Sequence, residues 1–471
     1  MRIHSREMDM CHGPILPKLL VFAFPLMLTG MLQLLFNAAD AVVVGRFGGP
    51  DSLAAVGSTG AFTALFINVF LGMSVGANAI VARLYGAGDR EGVRHAVHTA
   101  ILLAILAGLF VLVVSELVTV PVLHLMNVPE EIIDLSTLYL RLFFLSTPFN
   151  LLFNFGSAIL RAVGDTRRPL YFLFASGVLN VLLNLLFVIT FRMDVAGVAI
   201  ATVLSQALSA FLVLLSLVKN EGAVRLYPSR LRLHKKEFLE ILRVGLPAGI
   251  QSSVFATSNM LTQSSINYFG ASVMAATAAE GNVEGFVYIA MNAFYHTTIS
   301  FVGQNYGARD FPRIKRVILE ALLLVSIVGL VMGPLACYFG EPLLSLFVED
   351  GENKATIIAY GVQKLQMIAM PYFLCGVMDV LTGSLRGLGQ SLLPMISALV
   401  GVCGVRITWI LTVFEKYKDT PEIPLLGFTL SPFQLLLLCY VISWFITECF
   451  HAILLVISYR KLKKRYGREC T

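Results

Sequence analysis

Charge is scarce in this chain: Asp, Glu, Lys and Arg make up 14% of its 471 residues, against about 25% in soluble globular domains. With 57% hydrophobic residues and a mean hydropathy of +0.79, this excludes an ordinary soluble enzyme. No G-x-x-x-x-G-K-[ST] loop occurs, and the longest polar stretch, about residues 219–237, is too short for a nucleotide-binding domain, which excludes ATP hydrolysis by this chain. The seven cysteines are scattered, odd in number and without a C-x-x-C pair, so they read as reduced packing residues rather than a disulfide framework. No H-E-x-x-H is present, and His95 and His98 have no third ligand nearby in sequence, so no metal centre is expected. Gly72-Met73-Ser74-Val75-Gly76 matches G-x-S-x-G but lacks the strand-to-helix context of a nucleophile elbow. Small residues for close helix approach explain it better, and no enzymatic activity is expected.

What the chain has is long apolar runs. Between charged or Gly/Pro turns they predict twelve membrane helices, at 15–45, 53–82, 94–119, 131–160, 169–191, 195–219, 237–268, 275–305, 316–340, 355–385, 391–414 and 432–459, each about the 20 residues that cross a bilayer or longer. Lys and Arg mark one set of connections: Arg83, Arg90 and Arg94; Arg161, Arg167 and Arg168; the linker with Arg225, Arg230 and Arg232; Arg309 and Arg313; and the cluster from Arg460 onward. The alternating set is poor in them and richer in acids such as Glu130, Glu131 and Asp134. By the positive-inside rule both termini are cytoplasmic in a cell inner-membrane protein. The predicted organisation is a cytoplasmic segment 1–14, a six-helix bundle 15–219, a basic linker 220–236, a second bundle 237–459 and a basic tail 460–471. The tail's charge suits acidic lipids, and no nucleic-acid partner is expected.

The two bundles repeat one another. Pro25 with Phe47-Gly48 recurs as Pro247 with Phe269-Gly270, Tyr85-Gly86-Ala87 as Tyr306-Gly307-Ala308, and Leu160-Arg161-x-x-Gly164 as Leu385-Arg386-x-x-Gly389, all offset by roughly 222 residues. Six helices per copy bring both copies in from the same side, a parallel repeat with substrate handled near mid-membrane. The motifs Tyr85-Gly86-Ala87-x-Asp89, Gln304-Asn305-Tyr306-Gly307-Ala308, Leu160-Arg161-Ala162-x-Gly164-Asp165-Thr166 and Leu385-Arg386-Gly387-x-Gly389, with Asp40 ahead of Val44-Gly45-Arg46-Phe47-Gly48, resemble those of multidrug and toxic compound extrusion (MATE) transporters, nearest the NorM and DinF-like branches. The resemblance implies an all-α, V-shaped, two-lobed antiporter. Such a protein expels organic, often cationic, compounds while H⁺ or Na⁺ runs inward, needs no other cofactor, and acts in the bilayer, here expected as a monomer.

Several polar residues stand where lipid would exclude them, and an intramembrane carboxylate is a functional candidate by default. Thr29, Gln33, Asn37 and Asp40 fall on one helical stripe, as do Ser176, Asn180 and Asn184 on the fifth span and Thr202, Gln206 and Ser209 on the sixth. Asp40 amid amides and hydroxyls can take up a proton or hold a bare cation. The resemblance implies a cation site at Asp40, Asn180, Asn184 and Thr202, with Asn37 beside it. Some relatives carry Asp at the position of Asn184, a departure that favours protons. In the second bundle Gln251 and Asn259 on the seventh span, Glu284, Tyr288 and Asn292 on the eighth, and Asp379 on the tenth are candidates for the substrate cavity, with Gln33 and Gln206 from the first. An acid with aromatics suits an organic cation. Asp379 and Arg406 offer a possible structural pair. The rival reading, a lipid-linked precursor flippase, requires a cationic cavity.

Overall fold

Hydrocarbon offers backbone N–H and C=O groups no partner but one another, and the chain satisfies them almost wholly in helices. The computed structural model describes residues 7–126, 128–348, 351–425 and 428–469. The first half runs through α1 (Ile15–Val43), α2 (Gly49–Gly86), α3 (Arg90–Leu125), α4 (Glu130–Leu145), α5 (Thr147–Ala162), α6 (Arg167–Asn184) and α7 (Asp194–Val218). The second holds α8 (Lys235–Asn267), α9 (Ala271–Gly307), α10 (Phe311–Tyr338), a short α11 (Gly340–Ser345), α12 (Lys354–Ile368), α13 (Tyr372–Gly387), α14 (Leu392–Ala398), α15 (Val405–Trp409), α16 (Glu415–Tyr417) and α17 (Pro432–Glu469). Among the described residues, nine helical spans are long and apolar enough to cross a membrane, and the pair α12 and α13, bent by 47°, is a tenth. The two other long helices, α8 and α9, fall in the positions of the seventh and eighth expected spans but carry many polar groups.

Several spans differ from the sequence expectation. The fourth is two helices, α4 and α5, meeting at Ser146 just before Pro148, and the tenth breaks ahead of Pro371, because proline removes a donor and clashes with the preceding turn. The eleventh span is α14 to α16 joined by π-helical turns at Leu399–Gly404 and Ile410–Phe414. A two-stranded hairpin, Ile423–Leu425 with Phe428–Leu430, interrupts the all-helical expectation before α17. The basic tail continues α17 as far as Glu469. Of the expected N-terminal segment, residues 1–6 lie outside the described residues.

The chain gathers into two compact units: Met1–Gly13, Leu20–Ser253 and Gly303–Asp310 in the first, and Pro14–Leu19, Val254–Val302 and Phe311–Thr471 in the second. Within the first, glycines let backbones touch. A Cβ on Gly72 would stand 2.2 Å from Gly249 Cα, and one on Gly76 2.3 Å from Ile241 O. Ser74 Oγ donates to Leu71 O at 2.7 Å. The G-x-S-x-G stretch is therefore a helix-crossing surface. The repeated motifs also meet: a Cβ on Gly86 would lie 1.9 Å from Gln304 O, and one on Gly307 1.9 Å from Arg83 O. Around this crossing Gln304 Nε2 donates to Ala162 O (2.7 Å), Asn305 Nδ2 to Met10 O (3.1 Å) and Tyr85 Oη to Glu7 (2.8 Å).

Candidate functional site

In the first unit α1 carries Asp40 to within one turn of a π-helical segment, Val44–Gly48, and α6 carries Asn184 directly into another, Leu185–Thr190. Such π insertions recur at functional sites because they re-aim side chains within a helix. Here they follow Asp40 and Asn184. Asn184 Nδ2 donates to Asp40 Oδ1 at 2.5 Å and also reaches Asn180 Oδ1 at 3.3 Å. Asn180 Nδ2 donates to Ser205 Oγ at 3.4 Å, and Ser205 Oγ to Thr202 O at 3.0 Å. Asn184 is fully buried, and its Oδ1 has no hydrogen-bond partner among the described residues. A buried acceptor left open costs about 1–3 kcal/mol, a cost that a donor or a cation at this oxygen would remove. Tyr139, on α4, interacts electrostatically with Asp40.

The structure thus joins Asp40, Asn180 and Asn184, three residues from two of the sequence stripes. Thr202 contributes its backbone carbonyl, while its hydroxyl donates to Val198 O at 3.0 Å. Gln33 and Asn37 lie exposed on α1 without a side-chain hydrogen bond, and Gln206 meets Ser209 at 3.5 Å. Ser205 and Tyr139 had no place in the sequence expectation. Ser205 sits between two marked polar residues on its helix, and Tyr139 lies in an apolar run that gave no signal.

The second unit holds a denser charge cluster. Glu280 on α9, fully buried, forms an ion pair with Lys364 on α12, which is 6% exposed. Lys364 Nζ stands 3.7 Å from Glu284 Oε2, and Tyr372 Oη donates to Glu284 Oε1 at 3.0 Å. Glu280 and Lys364 were both overlooked in the sequence, although the spacing of Glu280 and Glu284 puts them one above the other on α9. Further along that helix Asn292 Nδ2 donates to Tyr288 Oη at 3.3 Å, and Asn292 lies near enough to Asp379 to act on its carboxyl. Tyr288 is 42% exposed though it lies mid-helix, so it borders open space rather than packing. Asp379 Oδ2 is buried and unpartnered.

The suggested pairing of Asp379 with Arg406 does not form. Arg406, 4% exposed, donates to Asn259 Oδ1 (2.9 Å) and Ser443 Oγ (3.1 Å) and lies 4.1 Å from the Tyr440 ring centre. Neutral oxygens and an aromatic face satisfy its donors, and Asp379 is influenced instead by Arg386. Asn259 therefore anchors an arginine, and Gln251 is buried in the first unit.

The MatE family profile matches residues 25–186 and 247–410, one copy on each repeat and most of the chain. This chain belongs to the MatE family. Its similarity to the probable multidrug resistance protein YoeA of Bacillus subtilis is 30% identity, over 84% of this chain and 87% of that one. The probable multidrug resistance protein NorM of Thermotoga maritima is 27% identical over 85% of this chain and 86% of its own. A solved outward-facing MATE transporter of the MOP superfamily superposes with a TM-score of 0.87 at 21% identity, covering 98% of this chain and all of that one. The MatE fold is thus a two-repeat helical membrane transporter, and the protein is not an enzyme. On that fold Asp40 and Asn184 belong to the first MatE copy, and Glu280, Glu284, Lys364 and Asp379 to the second.

Proposed function

We propose that this chain is a cation-coupled antiporter that exports small organic, cationic compounds across the cell membrane by alternating access, with both termini cytoplasmic. Two relatives bear multidrug-resistance names, and the observation that carries the coupling reading is the Asp40–Asn184 pair with its open Asn184 Oδ1. With Asp40 ionised, the amide donates to it. With Asp40 protonated, a half-turn of the same amide presents Oδ1 to accept the new O–H, so both states are satisfied without moving a helix. A sodium ion would use the same oxygens, and having Asn rather than a second carboxylate at 184 favours the proton. Loss of charge at Asp40 then frees α1 to shift about Pro25 and release substrate outward.

The drug pathway in this reading passes the second unit's open acid-aromatic surface, Glu284, Tyr288, Asn292 and Asp379. The buried cations there, Lys364, Arg386 and Arg406, are engaged by Glu280, Tyr295 and Asn259, which speaks against a phosphate-binding flippase cavity. One inward charge gains about 2.3 kcal/mol per 100 mV, enough for roughly a 50-fold gradient of a neutral substrate, whereas one-for-one exchange with a monovalent organic cation is electroneutral and draws on the ion gradient alone. The test is efflux of a fluorescent cationic dye from reconstituted vesicles, with proton and sodium gradients imposed separately. Wild type should move dye under one gradient and Asp40→Asn under neither. Equal transport by the variant would remove Asp40 from the mechanism.

A further inference from the structure

The linker between the repeats folds back on the first unit. Val224 and Leu226 are 0% and 3% exposed, and Leu226 N–H donates to Leu217 O at 3.0 Å. Tyr227 N–H donates to His98 Nε2 (3.1 Å) and His234 N–H to Thr99 Oγ1 (3.1 Å), docking the linker on the start of α3. His98 Nδ1 pairs with Arg94 O at 2.7 Å, so both its ring nitrogens are engaged. It lies parallel to the Tyr227 ring, at 6.2 Å and 4°.

Around this platform the charge is one-sided. The guanidiniums of Arg94, Arg225 and Arg230 stand 5.6, 5.1 and 5.6 Å from the Tyr227 ring centre. A cavity of about 450 Å³ beside it is lined by Arg90 and Arg94 from α3 and Arg230 and Arg232 from the linker, with His95 and His234, and Glu91 is the acid on its wall. Among the described residues none of these five arginines forms an ion pair with a carboxylate. Like charges held this close repel, and the planar forks that converge here match phosphate oxygens in pairs.

We propose that this pocket binds a phosphate group, bridging α3 to the linker through Arg90, Arg94, Arg230 and Arg232. The phosphate is that of an anionic lipid headgroup or of a soluble phosphate compound. The same cluster also brings ligand atoms of His95, His234 and Glu237 within 4.8 Å of one another. A divalent metal fits poorly: the unpaired guanidiniums repel it, and the two imidazoles are face-stacked at 3.8 Å and 14°, so their in-plane lone pairs do not converge on one point.

The test uses the full chain. Titration calorimetry with inorganic pyrophosphate in a neutral maltoside detergent reads the soluble source. Mass spectrometry of phosphatidylglycerol retained from 3:1 phosphatidylcholine–phosphatidylglycerol vesicles reads the lipid source. Wild type should show one bound phosphate group in at least one arm, weakened at least tenfold in R94Q/R230Q and unchanged in R460Q/K461Q. R94K/R230K, which keeps the charge and loses the forks, should weaken binding by a smaller factor and serves if the glutamine variant fails to fold. Pyrophosphate binding assigns a soluble ligand, and phosphatidylglycerol retention alone assigns a lipid. Equal binding by wild type, R94Q/R230Q and R94K/R230K, no binding by wild type in either arm, or Zn²⁺ binding lost in H234A with no phosphate binding, overturns the proposal.

Discussion

Asn184 is central to the proposed coupling site, since one amide holds Asp40 and Asn180 together. A hydrogen bond to an ionised group contributes about 1.5–3 kcal/mol, so Asn184→Ala should lower gradient-driven dye efflux by roughly tenfold or more, read as initial rates in vesicles. An unchanged rate would show that Asp40 works without this donor. In the second unit the Glu280–Lys364 pair is out of water on both sides. Removing one partner of such a pair costs about 3–5 kcal/mol, whereas replacing both by apolar groups is often neutral. Lys364→Met should therefore lower the thermal unfolding temperature in detergent, and Glu280→Leu/Lys364→Met should recover most of the loss. A double variant as unstable as the single one would mean the pair is not stabilised as described. Asp40 was legible in the sequence because a carboxylate in an apolar run has few innocent explanations. Lys364 was not, because it falls inside the tenth predicted span and the acid it pairs with lies on another helix, far away in sequence.

The elements were readable where lipid dictates them and unreadable where packing does. Apolar length located the spans, but the break before Pro371, the Ser146 junction and the π turns after Asp40 and Asn184 depend on neighbours that a linear pattern omits. The glycine motifs act at this scale. Gly86→Ala would drive a methyl into the Gln304 backbone, so overpacking of about 1–3 kcal/mol or more should appear as a lowered unfolding temperature. A stability equal to wild type would contradict that crossing. The docked linker gives a pH prediction. Burial, with nearby His95, pushes His234 below its ordinary 6.5, against the raising influence of Glu237. The undocked linker then binds the proton first as pH falls below about 6.5, so docking weakens on acidification. Amide exchange at Tyr227 and His234, corrected for intrinsic rates, should speed up between pH 7.5 and 5.5. Protection that is flat with pH would contradict the docking geometry.

At the scale of the whole molecule, the parallel repeat was visible in three motif pairs at nearly one spacing, and the family profile falls on the same two halves. The division of labour between the copies was less visible. The first places Asp40 among neutral amides; the second places Glu280 and Glu284 against Lys364, with Asp379 influenced by Arg386, an arrangement that only the fold assembles from α9, α12 and α13. This asymmetry is what an antiporter needs if the ion is handled by one repeat and the organic cation by the other. The most direct measurement is counter-flow: load reconstituted vesicles with a cationic dye, let it run down its own gradient, and record internal pH and sodium together. The account predicts opposite movement of protons, or of sodium, in wild type and none in Asp40→Asn. Dye movement with no accompanying ion flux, or equal ion flux in the variant, would contradict it.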